Sequence, residues 1–441
     1  MAPLGSLYVV AAAEEAGYEV AFRDYALEHG PDLFRFDRIA RFFASDESPV
    51  LGVSCFASML PYALGAAEKF RCDRPDVKIV LGGPGPSAVA SEILKVTPAV
   101  DFVVYGEGEE TVVELLSFLT RGLPPVSEIV GLAWRAPDGS VVKNPPRLRR
   151  RDLDSISLPA YHHVNLAAYD VVGVITARGC PYSCTYCDVV SMWKRQSIAR
   201  DVNAVLAEIV SLKRRFGVRH VAFVDDLFTV DRKRTVHLCN VLRAENCPTT
   251  WGCTTRIDRV DDDLLALIAK AGCNYVFYGV ESGSAKILAR VNKVIPFEQT
   301  ARAVRTSAKL QMYVHTPLMW GFPFEDIRDF HETLLFGRYL ESCGAEVFYT
   351  LATPLPATSL YEEFRERLSF DPQIYSTIIA PGRVTDLSEV AGMIARYPGL
   401  FAGFYHFADG KVEEKISLGR RLGLNLSDIR ISDLRREAPV C

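Results

Sequence analysis

The sequence predicts an α/β protein of two units: a doubly wound, Rossmann-like parallel sheet over residues 1–125 and an open six-stranded α/β barrel over 169–365. A connector at 126–168 joins them, and a small segment, 366–441, follows. Three observations carry the prediction. Strand-like and helix-like stretches alternate through both units, glycine or polar residues close nearly every strand, and 441 residues exceed what one ordinary core accommodates. Such alternation means parallel strands with crossover helices, and it places ligands beyond the carboxyl ends of the strands.

Hydrophobic residues make up 49% of the chain and charged residues 24%, enough apolar material for sizeable cores. The net charge of −4 supplies no field for nucleic acid, and the short basic run Arg147–Arg151 reads as a solvated linker. No apolar stretch approaches the roughly 20 residues that cross a bilayer, and the N-terminus lacks a leader pattern, so the expected location is cytoplasmic. Eleven cysteines spread through expected strands and helices fit a reducing compartment better than a disulfide framework.

In the first unit, Leu4–Ala16 reads as a helix, Tyr18–Arg23 as a strand and Val50–Cys55 as a second strand. A helix through Ala63–Arg71 precedes the strand Lys78–Leu81, which closes on Gly82 and Gly83; Asp101–Tyr105 opens onto Gly106-Glu107-Gly108-Glu109, and the helix Thr111–Leu119 follows. Glycines at strand ends let the backbone approach a flat ligand closely. The connector carries an expected hairpin, Ile129–Arg135 with Val141–Lys143, and the pair His162-His163, read as surface.

Barrel strands are expected near 171–176, 219–224, 249–254, 274–280, 312–319 and 345–351. Asp201 N-caps the first long helix, Val205, Ile209, Leu212 and Phe216 share one face, and Gly217 ends it. Polar or glycine-rich ends recur in phase: a cysteine loop after the first strand, then Asp225-Asp226, Thr255-Arg256, Glu281-Ser282-Gly283, Gly321-Phe322-Pro323 and Thr353–Pro356. His315 and Tyr313 are candidates for the barrel interior; Cys239, Cys247, Cys253, Cys273 and Cys343 read mostly as small core residues. The last segment has no motif. Its aromatics Phe401, Phe404, Tyr405 and Phe407 suit either a barrel cap or plain packing, and Cys441 reads as idle.

The cysteine loop is the chemical centre. Cys180, Cys184 and Cys187 put three thiols together, one short of a closed structural zinc site. An iron-sulfur cubane takes one thiolate per iron, so three cysteines leave one iron open to a small molecule. The CxxxCxxC spacing, Tyr186 before the last cysteine and the Gly179-Cys180-Pro181 turn resemble the signature of the radical S-adenosylmethionine (radical SAM) superfamily.

That resemblance implies a partial TIM-type barrel and a [4Fe-4S] cluster on Cys180, Cys184 and Cys187, with S-adenosylmethionine at the open iron. It places Glu281 at the ribose hydroxyls, Asp225 or Asp226 at the methionine amino end in place of the usual Gly-Gly-Glu, Arg256 at the methionine carboxylate and Tyr186 near the adenine. The first unit resembles the cobalamin-binding domain of one radical SAM subgroup through Pro3-Leu4-Gly5, Val53-Ser54, Leu81-Gly82-Gly83 and Tyr105–Glu109, making Ser54, Gly82, Gly83, Gly106 and Gly108 corrin-side candidates. Two departures stand out: there is no Asp-x-His-x-x-Gly segment, His29 being the one histidine of that region, and the strand normally preceding Pro3 is missing.

The subgroup implies methylation of an unactivated carbon of a small molecule through a 5'-deoxyadenosyl radical, with an electron donor such as flavodoxin or ferredoxin and neither nucleic acid nor membrane span. A cobalamin-assisted cyclase or rearrangement enzyme shares the layout. A methylthiotransferase is disfavoured, since Cys55 and Cys72 are the only thiols of the first unit. From a different class, a non-catalytic metal-stabilised binding protein would use the same three thiols.

Overall fold

The computed structural model describes residues 1–245, 250–375 and 387–422; Cys247 and Cys441 lie outside them. The first sheet orders its strands as they occur: β1 (Val50–Ser54), β2 (Lys78–Gly82) and β3 (Phe102–Val104) run parallel, and β4 (Leu132–Arg135) and β5 (Val141–Lys143) continue antiparallel. The hairpin expected in the connector thus extends this sheet. Asn144 fixes it: its side chain donates to the carbonyls of Val126 (2.7 Å) and Ile129 (2.8 Å) and accepts from the Trp134 indole (3.1 Å).

Helices α1 (Leu4–Glu15), α2 (Phe36–Phe43), α3 (Leu60–Asp73), α4 (Pro84–Ala88), α5 (Ala90–Val96) and α6 (Glu109–Arg121) surround the sheet. The strand expected at Tyr18–Arg23 does not form. A strand needs a ladder partner; here β1 is the sheet edge, and Val20 and Phe22 pack on Val10, Ala11 and Ala160 instead.

The second sheet holds all six expected barrel strands, β6 (Val172–Val174), β9 (His220–Phe223), β10 (Thr250–Thr255), β11 (Cys273–Tyr278), β12 (Tyr313–Trp320) and β13 (Glu346–Leu351), parallel in the order β13-β12-β11-β10-β9-β6. After β6 a two-residue ribbon, β7 (Ala177–Arg178) with β8 (Ile198–Ala199), brackets the cysteine loop and the short α7 (Val189–Trp193). The outer layer is α8 (Val202–Phe216), α9 (Arg232–Ala244), α10 (Asp262–Lys270), α11 (Ala285–Arg290), α12 (Phe297–Lys309) and α13 (Ile327–Ser342). Asp201 caps α8 by accepting from Asn203 N–H (2.8 Å) and Ala204 N–H (3.2 Å), and Gly217 closes it at φ 69°. Val205, Ile209 and Leu212 are fully buried in one core with Val221 and Phe223, each contributing roughly 1.5–3 kcal/mol.

The chain ends in α14 (Ser359–Phe364), β14 (Leu368–Ser369), α15 (Ala391–Arg396), β15 (His406–Phe407) and α16 (Val412–Arg421), with β14 antiparallel to β15. The segment divides its aromatics. Phe401, Phe404 and Tyr405 join the core under the first sheet with Leu60 and Ile93, while Phe407 packs with Phe322 and Phe364 beside the barrel. At the other end, α1 buries Leu4, Leu7 and Tyr8 in the barrel core, and Ala160 N–H donates to Leu7 O (3.0 Å). Among the described residues no helix is long and apolar enough to cross a membrane.

Candidate functional site

Sequence places Cys180, Cys184 and Cys187 just past β6, and a set of backbone bonds holds the loop there. Asp225, buried at the end of β9, accepts from Thr176 N–H (2.7 Å), Thr176 Oγ1 (2.5 Å) and Ala177 N–H (3.0 Å); Asp226 accepts from Gly179 N–H (2.8 Å). Both oxygens of Asp225 take part in pinning the strand end, so this carboxylate supports the loop. Burial raises the Asp225 carboxyl and pushes Asp226 up to about 6. Further along, Cys187 N–H donates to Cys184 O (3.2 Å), Thr185 N–H to Val291 O (3.2 Å) and Leu360 N–H to Thr185 O (2.9 Å), so two later segments strap the loop down.

Cys184 is buried and the other two thiols are half-buried. Burial raises Cys180 and pushes Cys187 up to about 12. Thiols that need a cation to ionise suit metal ligation. The other described thiols stand apart: Cys239, Cys253 and Cys273 interact with one another across α9, β10 and β11, and Cys55 and Cys72 belong to the first unit.

Arg256 follows β10 and arrives beside Cys184. Its Nε and Nη2 grip the two oxygens of Asp258 (2.9 and 3.0 Å), its plane lies 3.7 Å from the Tyr182 ring centre, and Nη1 is 3.6 Å from Cys184 Sγ. Arg259 bonds the Tyr182 hydroxyl. The guanidinium expected at a methionine carboxylate is therefore engaged by Asp258 on one side and the Cys184 thiol on the other.

Glu281 continues β11 with φ 71°, donating its N–H to Pro317 O (3.1 Å) and accepting from Met319 N–H at its carbonyl (2.6 Å). Lys293, which the sequence reading missed, donates to Glu281 Oε1 (2.7 Å) and lies 3.5 Å from the Tyr186 hydroxyl; both charged side chains are buried. Burial, then the Glu281 charge, raises the Tyr186 phenol. No motif marks Lys293. The nearest signal is Gly279, where an added Cβ would stand 2.5 Å from Glu281 Oε1 and 2.6 Å from Lys293 Nζ. Glu281, Lys293, Tyr186 and the cysteine loop form one group. Ser282 and Ser284 anchor it to α13 through Thr333 (2.9 Å) and Asp329 (2.7 Å).

Ser54 and Gly82 are register partners at the carboxyl edge of the first sheet, next to Gly83. At Gly83, φ 91°, an added Cβ would meet Ser54 Oγ at 2.7 Å, so this glycine serves chain-to-chain contact. Gly106, φ 81°, has open space instead, and with exposed Ser54 and Phe56 it leaves a rim a flat ligand can reach; Gly108 packs near Val9 and Val104. A small cleft of about 30 Å³ lies between Ala57, Gly85 and Val89, which follow β1 and β2, and Asp188, Leu355 and Phe401.

The loop after β3 reaches the cysteine loop directly. Arg178, buried, donates to Glu107 (3.0 Å) and Glu109 (2.6 Å) and stacks 5.1 Å from Tyr8. Arg149 donates to Arg178 O (3.1 Å), lies 3.8 Å from Glu107 and covers Trp193 at 4.3 Å; Arg147 pairs with Glu110 (2.8 Å) and Glu114. The basic run read as solvated is the seam between the two units. His315, by contrast, sits away from the cysteines among Tyr275 (hydroxyl to Nδ1, 2.8 Å), Tyr313 and Phe348.

The pattern of the Radical SAM superfamily matches residues 174–337, and that of the B12 binding domain matches residues 1–116. A Pyrococcus horikoshii protein described as an uncharacterized methyltransferase is 28% identical over 82% of this chain and 78% of its own length. The anaerobic magnesium-protoporphyrin IX monomethyl ester cyclase of Rubrivivax gelatinosus is 29% identical over 69% of this chain and 56% of its own length, so the chain spans little more than half of that relative. The fold is that of the radical S-adenosylmethionine methyltransferase TsrM from Kitasatospora setae, at TM-score 0.72 and 18% identity over 100% of this chain and 89% of that one. With three thiols at the mouth of a six-stranded barrel and a glycine-rimmed sheet docked against them, the chain carries a radical SAM domain over residues 174–337 and a B12-binding domain ahead of it.

Proposed function

We propose that the protein is a cobalamin-dependent radical SAM methyltransferase acting on an unactivated carbon of a small molecule, with Cys180, Cys184 and Cys187 as cluster ligands. One observation carries the reading: Arg178, at the start of the three-thiol loop, is paired with Glu107 and Glu109, which follow β3 at the carboxyl edge of the B12-binding unit. When bound, the cluster and S-adenosylmethionine supply a carbon-centred radical, and cobalamin supplies the methyl group. The chain's own residues position and exclude. Asp225 and Asp226 hold the loop entry, and Arg256 sets the charge beside Cys184. Glu281 keeps Oε1 on Lys293 and offers Oε2 to ribose hydroxyls, while Lys293, also beside Tyr186, balances the Glu281 charge and fixes its carboxylate in place. Ser54 and Gly106 contact the corrin. An electron donor of the flavodoxin or ferredoxin class completes the system.

The likeness to a cyclase supports ring closure or rearrangement as the second reading. Anaerobic reconstitution with and without hydroxocobalamin tests both. About four irons and four sulfides per chain, corrin retained through gel filtration, reductive cleavage of S-adenosylmethionine and a product heavier by one methyl are expected. Cys184→Ala should abolish cleavage. A product without added methyl favours the cyclase, and bound zinc without cleavage overturns both.

A further inference from the structure

Away from the cysteine loop, Glu14, His162 and His163 bring three metal-binding donors within 4.8 Å of one another. Glu14 stands at the carboxyl end of α1; the histidines occupy the single turn Tyr161–His163 that leads into the barrel. Both elements are fixed independently of this contact. Ala160 N–H donates to Leu7 O (3.0 Å), and the Tyr161 hydroxyl donates to Glu208 Oε1 (2.8 Å). His163 is 19% exposed and packs edge-on to Phe22, while His162 is 58% exposed and leaves one side of the group to water. None of the three takes part in the chemistry proposed above.

The separations suit a metal site as well as a hydrogen-bonded cluster. His163 Nε2 lies 2.7 Å from Glu14 Oε1, an ordinary hydrogen bond. His162 Nε2 straddles the two carboxylate oxygens, 3.3 Å from Oε1 and 3.2 Å from Oε2, at the long end of the hydrogen-bond range. Those values match the edge of a tetrahedron, about 3.3 Å when nitrogen and oxygen ligands stand about 2.0–2.1 Å from the centre. An ion at that centre asks the His163–Glu14 contact to open from 2.7 Å to about 3.3 Å. Two neutral imidazoles and one carboxylate carry a single negative charge and suit a zinc-class ion, whereas calcium and magnesium prefer all-oxygen sets.

We propose that Glu14, His162 and His163 bind one divalent transition ion of the zinc class, water completing its shell, and that the ion staples α1 to the turn before the barrel. The staple would cross the junction of the two units, because α1 lies against α6 of the first unit and buries Leu4, Leu7 and Tyr8 in the barrel core.

The test uses the full chain with its cluster assembled, so that the cysteines are already occupied. After chelator treatment it is titrated anaerobically with zinc by calorimetry, followed by X-ray absorption at the zinc edge. One equivalent in a shell of nitrogen and oxygen only, with a raised Tm, is expected. Glu14→Gln and His163→Gln should weaken binding at least tenfold and leave S-adenosylmethionine cleavage unchanged. Sulfur in the shell, or undiminished affinity in these variants, overturns the staple. Should either variant fold poorly, His162→Gln, at the most exposed of the three positions, decides by the same tenfold criterion. The zinc readout stands whether or not S-adenosylmethionine is cleaved.

Discussion

Arg256 shows how a side chain's nearest partner limits what it can do. With Asp258 occupying two faces of the guanidinium and Tyr182 stacked on its plane, only Nη1 remains, and it points at Cys184. A fixed positive charge beside one thiolate favours the reduced cluster. Arg256→Met should therefore make reduction at least tenfold less favourable, about 59 mV for one electron, read by EPR-monitored titration. Asp226 gives a pH prediction. Its folded value of about 6 lies above the ordinary carboxylate range, so between roughly pH 4 and 6 the folded chain keeps a proton that the unfolded chain has lost. Stability of the iron-free protein should fall as pH rises through that window and level off above it. Asp226→Asn, which can still accept from Gly179 N–H, should flatten the slope and gain roughly 1–3 kcal/mol near neutral pH in urea melts. The acidic pair was legible in the sequence as site residues; their service to the loop backbone was not, because it depends on Thr176 and Gly179 lying across a strand gap.

At the scale of elements, α16 is held by a pair that no pattern in the sequence advertised. Lys415, fully buried, donates to Glu325 Oε2 (2.5 Å) and Glu325 O (3.1 Å), and the same carboxylate accepts from Gly321 N–H (2.6 Å) where β12 ends. Burial drives the Glu325 carboxyl up and the Lys415 amine down, so each needs the other to stay charged. Lys415→Met should cost about 3–5 kcal/mol in chemical denaturation by stranding a buried carboxylate, and adding Glu325→Gln should restore most of it. The six barrel strands and α8 were readable because apolar periodicity, an Asp cap and a closing glycine all agree there. The ribbon of β7 and β8 was not, since two residues have no period. Tyr18–Arg23 alternates like a strand yet has no ladder partner, a fact that only the finished sheet reveals.

Across the whole molecule, both units were legible from alternation, but their joint was not. A basic run looks solvated until its opposing carboxylates are known; Glu107, Glu109, Glu110 and Glu114 come from a loop and helix far upstream. Arg178→Met removes the shared partner of two buried carboxylates and should destabilise the seam by about 3–5 kcal/mol. Hydrogen exchange should then rise in α1, α6 and residues 147–151 ahead of the outer barrel helices. The straps on Thr185 carry a consequence for biogenesis. Val291 and Leu360 leave the ribosome long after Cys187, so on a nascent chain the thiols are still uncovered. Iron delivered before Leu360 is made would meet an unfinished, oxidisable cradle.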